Sequence, residues 1–252
     1  MISKSQIKLI TSLQQKKYRV KTGLFVAEGP KIIQDLLVSG LKIHALYTLE
    51  EHFDLAETFR HRFSFSETIV QVSSAELQKI SALKTANTML AVFYQPKEKN
   101  VSEKGLLVAL DTVRDPGNLG TIIRLCDWFG VSQLICANDT VDCFNPKVVQ
   151  ATMGSIARVS VVYLDLLDYI RTTRLPIYGA VMDGTNVYSS QLPKQALLVM
   201  GNEAKGISSE ITTHIQHKIT IPSFGTTHSA ESLNVATATG ILLSEFKRST
   251  EK

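Results

Sequence analysis

The 252-residue sequence has no apolar run of about 18 residues, the length that marks a membrane-spanning helix. A transmembrane protein is therefore not expected. Basic residues open the chain without an apolar stretch behind them, so a secretory signal is not expected either. Cysteine is scarce: only Cys126, Cys136 and Cys143, with no CxxC pair. An odd number without close pairing argues against a disulfide framework and against a zinc site. Together these absences lead to the expectation of a soluble cytoplasmic protein with no structural metal. The fingerprint GxGxxG is also missing, because Gly117-Asn-Leu-Gly120 is too short for it. That argues against an ordinary nucleotide-dependent oxidoreductase.

What is present is an ordinary globular composition, and the length suits one large domain or two modest ones. Charge is uneven. Residues 1–104 hold 15 Lys/Arg against 10 Asp/Glu, whereas the remainder holds 12 against 13. Lys4, Lys8, Lys16, Lys17, Arg19 and Lys21 precede the first acidic residue. A basic part joined to a neutral part suggests a polyanion-binding module beside something else.

The segment Gln95-Pro-Lys-Glu-Lys-Asn-Val-Ser-Glu-Lys-Gly105 is polar and bounded by Pro96 and Gly105, so it reads as a linker. It implies residues 1–95 as one domain, 96–105 as linker and 106–252 as a second domain. Short apolar strands and helical patterns alternate before it, as a small α/β domain requires. After it come strands at 106–110, 133–137, 159–163, 177–182, 196–200 and 217–221. Most are uniformly apolar and helices separate them, the pattern of a parallel sheet covered on both faces.

Three segments carry polar residues where strands end. The first is Asp111-Thr-Val-Arg-Asp-Pro-Gly-Asn-Leu-Gly-Thr-Ile-Ile-Arg124. Asn118 is placed to cap a helix over about 119–129. Arg124 follows inside an otherwise apolar helix, where a guanidinium needs a partner or a ligand. The second is Leu198-Val-Met-Gly-Asn-Glu-Ala-Lys-Gly-Ile207. Gly201 lets the backbone approach a ligand closely, and Glu203 is a hydrogen-bond acceptor at a strand's carboxyl edge. The third joins Ile219-Thr-Ile-Pro222 to Ala230-Glu-Ser-Leu-Asn-Val235, with a helix beginning near Ser232 and Asn234. Taken singly, each segment reads as caps, turns and core.

In combination they resemble the SpoU (TrmH-like) family of RNA 2′-O-ribose methyltransferases, within the SPOUT superfamily. The matching patterns are N-x-G-x-I-x-R from Asn118, G-N-E-x-x-G from Gly201, and I-P with S-L-N-V from Ile221 to Val235. Lys21-Thr-Gly-Leu-Phe-Val-Ala-Glu-Gly-Pro30 resembles the substrate-binding domain that often precedes that catalytic domain. That domain is similar to an RNA-binding module of the ribosomal-protein L30e type.

The resemblance implies an α/β fold: a C-terminal parallel-sheet domain with a deep trefoil knot, preceded by a small α/β L30e-like domain. It implies S-adenosylmethionine as cofactor, contacted by Gly201, Ile221 and Leu233 with Met200 nearby. It implies a homodimer and an RNA substrate, with 23S-type rRNA preferred over tRNA. Arg124 would stabilise the developing oxyanion or anchor a phosphate. A guanidinium is a poor literal base. Asn118 would orient Arg124 or substrate. Glu203, Ser232 and Asn234 would shape the pocket and support the ribose or Arg124.

One stretch departs from the family pattern: Phe224–Glu231 is longer than usual, which leaves loop geometry open there. The alternatives are a tRNA ribose methyltransferase, a base-methylating enzyme of the related knotted group, and a catalytically inactive RNA-binding homologue.

Overall fold

The computed structural model describes residues 2–97, 99–225 and 232–250. The first elements are α1 (Lys4–Ser12), α2 (Lys16–Thr22), β1 (Leu24–Glu28), α3 (Pro30–Val38), β2 (Ile43–Thr48), α4 (Phe53–Phe63), β3 (Ile69–Gln71), α5 (Ser74–Ile80) and β4 (Met89–Tyr94). Then come β5 (Leu106–Leu110), α6 (Pro116–Trp128), β6 (Gln133–Ala137), α7 (Pro146–Thr152), β7 (Ser160–Leu164) and α8 (Leu166–Thr172). The last are β8 (Ile177–Asn186), β9 (Ala196–Met200), α9 (Ser209–Thr212), β10 (His217–Thr220) and α10 (Val235–Thr250). No helix among the described residues is long and apolar enough to cross a membrane.

The chain divides into two compact units, and the division is not a simple cut. Unit 1 comprises Met1–Lys97 together with Asp142–Arg158; unit 2 comprises Glu98–Val141 and Val159–Lys252. Unit 1 holds a four-stranded sheet in the order β1-β4-β2-β3. Its helices start where local chemistry dictates. Ser3 with Gln6 and Ser73 with Glu76 form reciprocal capping boxes at α1 and α5. Ile10, Leu13, Val26, Leu77, Leu90 and Val92 close the core.

The segment around α7, although it follows residue 105, is grouped with unit 1 by its contacts. The Phe144 ring lies 4.8 Å from that of Phe25 on β1. The Arg19 guanidinium, only 2% exposed, donates through Nε to Asp142 Oδ2 at 2.8 Å and through Nη1 to the Leu13 carbonyl at 2.8 Å. Arg19 is thus a structural cation, not one of the exposed basic residues. Lys4, Lys8, Lys16, Lys17 and Lys21 remain exposed.

Unit 2 holds a six-stranded parallel sheet in the order β10-β8-β9-β5-β6-β7. Its interior strands β5 and β9 are wholly buried, which explains their uniformly apolar sequences. The expected linker is partly docked: Gln133 accepts from Ser102 N at 2.7 Å and donates to the Asn100 carbonyl at 3.0 Å. Strand order turns at β5. The chain runs through β6 and β7 on one side, then crosses to β8, β9 and β10 on the other. Such a reversal leaves a crevice at the carboxyl ends of the strands.

Candidate active site

Three loops meet at that crevice, and the residues that cap helices also link the loops. Asp115, not Asn118, caps α6, accepting from Asn118 N at 2.8 Å. Asn118 therefore sits one turn inside the helix, and its side-chain amide serves other partners. It donates through Nδ2 to Glu203 Oε1 at 3.0 Å and accepts at Oδ1 from Asn234 Nδ2 at 2.8 Å. Asn234 in turn caps α10, its Oδ1 accepting from Ala236 N at 2.9 Å and Thr237 N at 3.2 Å. Ser232, which lies two residues before Asn234, is exposed and does not take the capping position. One chain of amides and carboxylate thus ties α6, the loop after β9 and the start of α10.

The loop after β9 is held from below. Asn202 donates to the Thr112 carbonyl at 2.7 Å and to Glu203 Oε2 at 3.3 Å. Asp111, buried at the end of β5, accepts from Ser208 N at 2.7 Å. Thr112 has φ of +63°, a conformation that costs a side-chain-bearing residue energy and collects near functional sites. Asn202 and Gly206 exchange two backbone hydrogen bonds of 2.9 Å, folding the loop back on itself. A Cβ on Gly201 would run into the Gly206–Ile207 backbone. The close approach that requires this glycine is therefore made by the chain itself.

A cavity of about 830 Å³ opens beside the network. Its size is suited to a small organic ligand, for which about 300–1,000 Å³ is usual. Met200, Gly201, Glu203, Ile221, Ser232, Leu233 and Asn234 all line it. Val235 and Leu242 of α10 add apolar wall. Asn118 does not line the cavity but bonds two residues that do.

Arg124 stands apart from this set. It is exposed, so it is not the interior cation that its apolar neighbours suggest. Leu119, Ile122, Ile123 and Cys126 form the buried face of α6, and Arg124 points off that face with Trp128 one turn on. Among the described residues, Arg124 makes no hydrogen bond or ion pair, so none joins it to Asn118, Glu203 or Asn234. Residues 226–231 of the lengthened stretch before Ser232 lie outside the described residues. Sequence reasoning does not single out Asp111, Asp115 or Asn202. The signal for Asp115 is available, since an Asp directly before Pro-Gly at a helix start is a common cap.

The SpoU rRNA methylase family matches residues 105–244, the whole of this crevice and its strands. The chain belongs to the SpoU rRNA methylase family. Residues 4–91 match an MRM3-like substrate-binding domain, so the second part of the resemblance holds too. The SpoU chain is 28% identical over 239 residues to the 23S rRNA (guanosine(2553)-2'-O)-methyltransferase RlmP of Bacillus subtilis. The match covers 92% of this chain and 91% of that protein. Among solved structures, a TrmH-family protein from Porphyromonas gingivalis has a TM-score of 0.87 at 37% identity, covering 98% of this chain and 99% of that one. An AdoMet-bound rRNA methyltransferase from Sinorhizobium meliloti has a TM-score of 0.86 at 31% identity, covering 99% and 97%.

Proposed function

We propose that this SpoU chain transfers a methyl group from S-adenosylmethionine to a ribose 2′-oxygen of RNA, with 23S-type rRNA preferred over tRNA. The observation that carries the reading is the crevice itself. The cavity lies at the carboxyl ends of the strands, and its rim is fixed by the Glu203–Asn118–Asn234 chain. The relative from Bacillus subtilis acts on 23S rRNA, and the MRM3-like domain supports a large RNA substrate.

The residues present fit the cofactor. Met200, Leu233, Val235 and Leu242 offer apolar surface for a flat heterocycle, and the half-buried Gly201 and Ile221 bring peptide groups to the cavity for polar contacts. The cofactor, when bound, supplies a methyl group on a positively charged sulfur. The protein must then present a ribose hydroxyl and favour loss of its proton. Arg124 supplies a fixed positive charge on an exposed helix face, suited to a phosphate or to the developing alkoxide. Asn118, Glu203 and Asn234 hold the loops in register, so that orientation replaces a bimolecular encounter. Ser232 lines the cavity with an exposed hydroxyl that can meet the ribose.

Further parts of the reading rest on the same fold. A homodimer is supported by Trp128, which is 84% exposed on the helix that carries Arg124. A deep trefoil knot is the part of the fold reading that membership of the SpoU family implies. Residues 1–95 would bind RNA, the linker would follow, and 106–252 would hold cofactor and chemistry, with α7 lent to the RNA-binding unit. A cytoplasmic location fits a substrate of ribosomal RNA.

The test is to map ribose methylation across total RNA from cells with and without the gene. One 2′-O-methyl site lost from rRNA is expected. A lost tRNA site would redirect the substrate, and an unchanged map would remove the enzymatic reading.

A further inference from the structure

Strand β8 is longer than its sequence pattern predicts, and its second half departs from the regular ladder. Tyr178 and Gly179 pair with His217 and Lys218 of β10, but the next pair is Thr185 with Ile219. Residues 180–184 therefore form a bulge, across which the Thr220 hydroxyl donates to the Met182 carbonyl at 3.2 Å. Gly184 makes the return possible, because a Cβ there would lie 2.6 Å from the Ile219 backbone. A bulge beside a site commonly re-aims a side chain. Here Ala180, Val181, Met182 and Asp183 become part of the cavity wall.

Among the described residues, the cavity lining contains two carboxylates, Asp183 and Glu203, and one cation, Lys205. Glu203 is committed at both oxygens, to Asn118 and to Asn202. Asp183 has no hydrogen bond or ion pair among the described residues. The Asp183 side chain is exposed at the cavity wall, where the bulge holds it, so its carboxylate is free to accept hydrogen bonds from a ligand in the cavity. The apolar part of that wall, Met182, Met200, Leu233 and Val235, offers it none.

We infer that the Asp183 carboxylate binds the cofactor by accepting hydrogen bonds from its N–H or O–H donors. The inference rests on the proposed use of S-adenosylmethionine. That molecule offers three such donor groups, the ribose diol, the adenine 6-amino group and the α-ammonium, and Asp183 serves as its charged acceptor on the β8 wall of the cavity.

The test is calorimetric binding of S-adenosylmethionine, S-adenosylhomocysteine and 5′-methylthioadenosine to the full chain. Wild type is compared with Asp183→Ala and the isosteric Asp183→Asn. Losing a hydrogen bond to a charged group should weaken S-adenosylmethionine roughly tenfold to a hundredfold in the alanine variant, and less in the asparagine variant. The ligand-free melting temperature of Asp183→Asn should match wild type. A loss that extends to methylthioadenosine assigns the nucleoside donors, the diol or the adenine amino group, and 2′-deoxyadenosine analogues separate the two. A loss confined to the two ligands bearing the amino acid assigns the ammonium. Equal affinity of wild type and both variants overturns the inference and leaves the cofactor reading standing. A loss for S-adenosylmethionine alone means attraction to the sulfonium through space, and overturns the hydrogen-bond assignment. A wild-type protein that binds none of the three overturns both.

Discussion

Asn234 and Asn118 are joined by a 2.8 Å hydrogen bond from Nδ2 to Oδ1, while Asn234 Oδ1 caps its own helix. One side chain therefore holds a helix start and couples it to another helix. The two jobs separate by substitution. Asn234→Ser keeps a capping oxygen and loses the amide donor; Asn234→Ala loses both. Asn234→Ala should cost about 1 kcal/mol of stability and impair methyl transfer. Asn234→Ser should melt close to wild type and still transfer methyl groups poorly. Thermal melts beside single-turnover assays check this, and a fully active serine variant would refute the coupling.

Arg19 and Asp142 make the second testable pair. Removing one partner strands a buried charge, so Asp142→Ala should destabilise by about 3–5 kcal/mol. The double change Arg19→Met with Asp142→Leu should recover most of it. Urea titrations of the three variants check the outcome. Equal stability of Asp142→Ala and wild type would mean that the α7 segment is held by something other than this ion pair.

Cys126 gives a pH dependence. Burial pushes its thiol up to about 12, with Asp127 adding to the shift, from an ordinary 9.0. The folded state thus holds the proton that the unfolded state releases. The stabilisation is complete below pH 9 and is lost as pH climbs from there toward 12. At pH 10 the loss attributable to this thiol is on the order of 1 kcal/mol. Denaturant titrations at about pH 8 and about pH 10 should show a smaller drop for Cys126→Ala than for wild type. An identical drop would contradict the assignment.

RNA binding should separate the exposed lysines from Arg19. Replacing Lys8, Lys16 and Lys17 by alanine should flatten the dependence of log affinity on log salt, by about 0.7 for each phosphate no longer neutralised. Filter binding of rRNA fragments across a salt series measures it. An unchanged slope would move the RNA surface elsewhere.

Much of this is legible in the sequence, for identifiable reasons. Buried parallel strands such as Leu106–Leu110 and Ala196–Met200 announce themselves as apolar runs. Helix α4 does not, because only Ala56 and Phe59 of its eleven residues are both apolar and buried. Motif alone singles out Asn118, Glu203 and Asn234. Their mutual hydrogen bonds span 85 and 116 positions, and no local pattern encodes such distances. The exposure of Arg124 is hidden for a different reason. Its neighbours in sequence are apolar, but helical periodicity puts them on the opposite face. The placement of α7 with the N-terminal unit depends on Phe144 meeting Phe25 and Asp142 meeting Arg19, long-range pairings of ordinary residues.

The most direct test of the account uses methyl-labelled S-adenosylmethionine, rRNA and the purified chain, followed by alkaline hydrolysis of the product. A 2′-O-methyl group blocks cleavage at its own linkage. Wild type should leave the label in alkali-stable dinucleotides. Arg124→Ala should leave almost none, with cofactor affinity near wild type. Label recovered in mononucleotides, or undiminished transfer by Arg124→Ala, would contradict it.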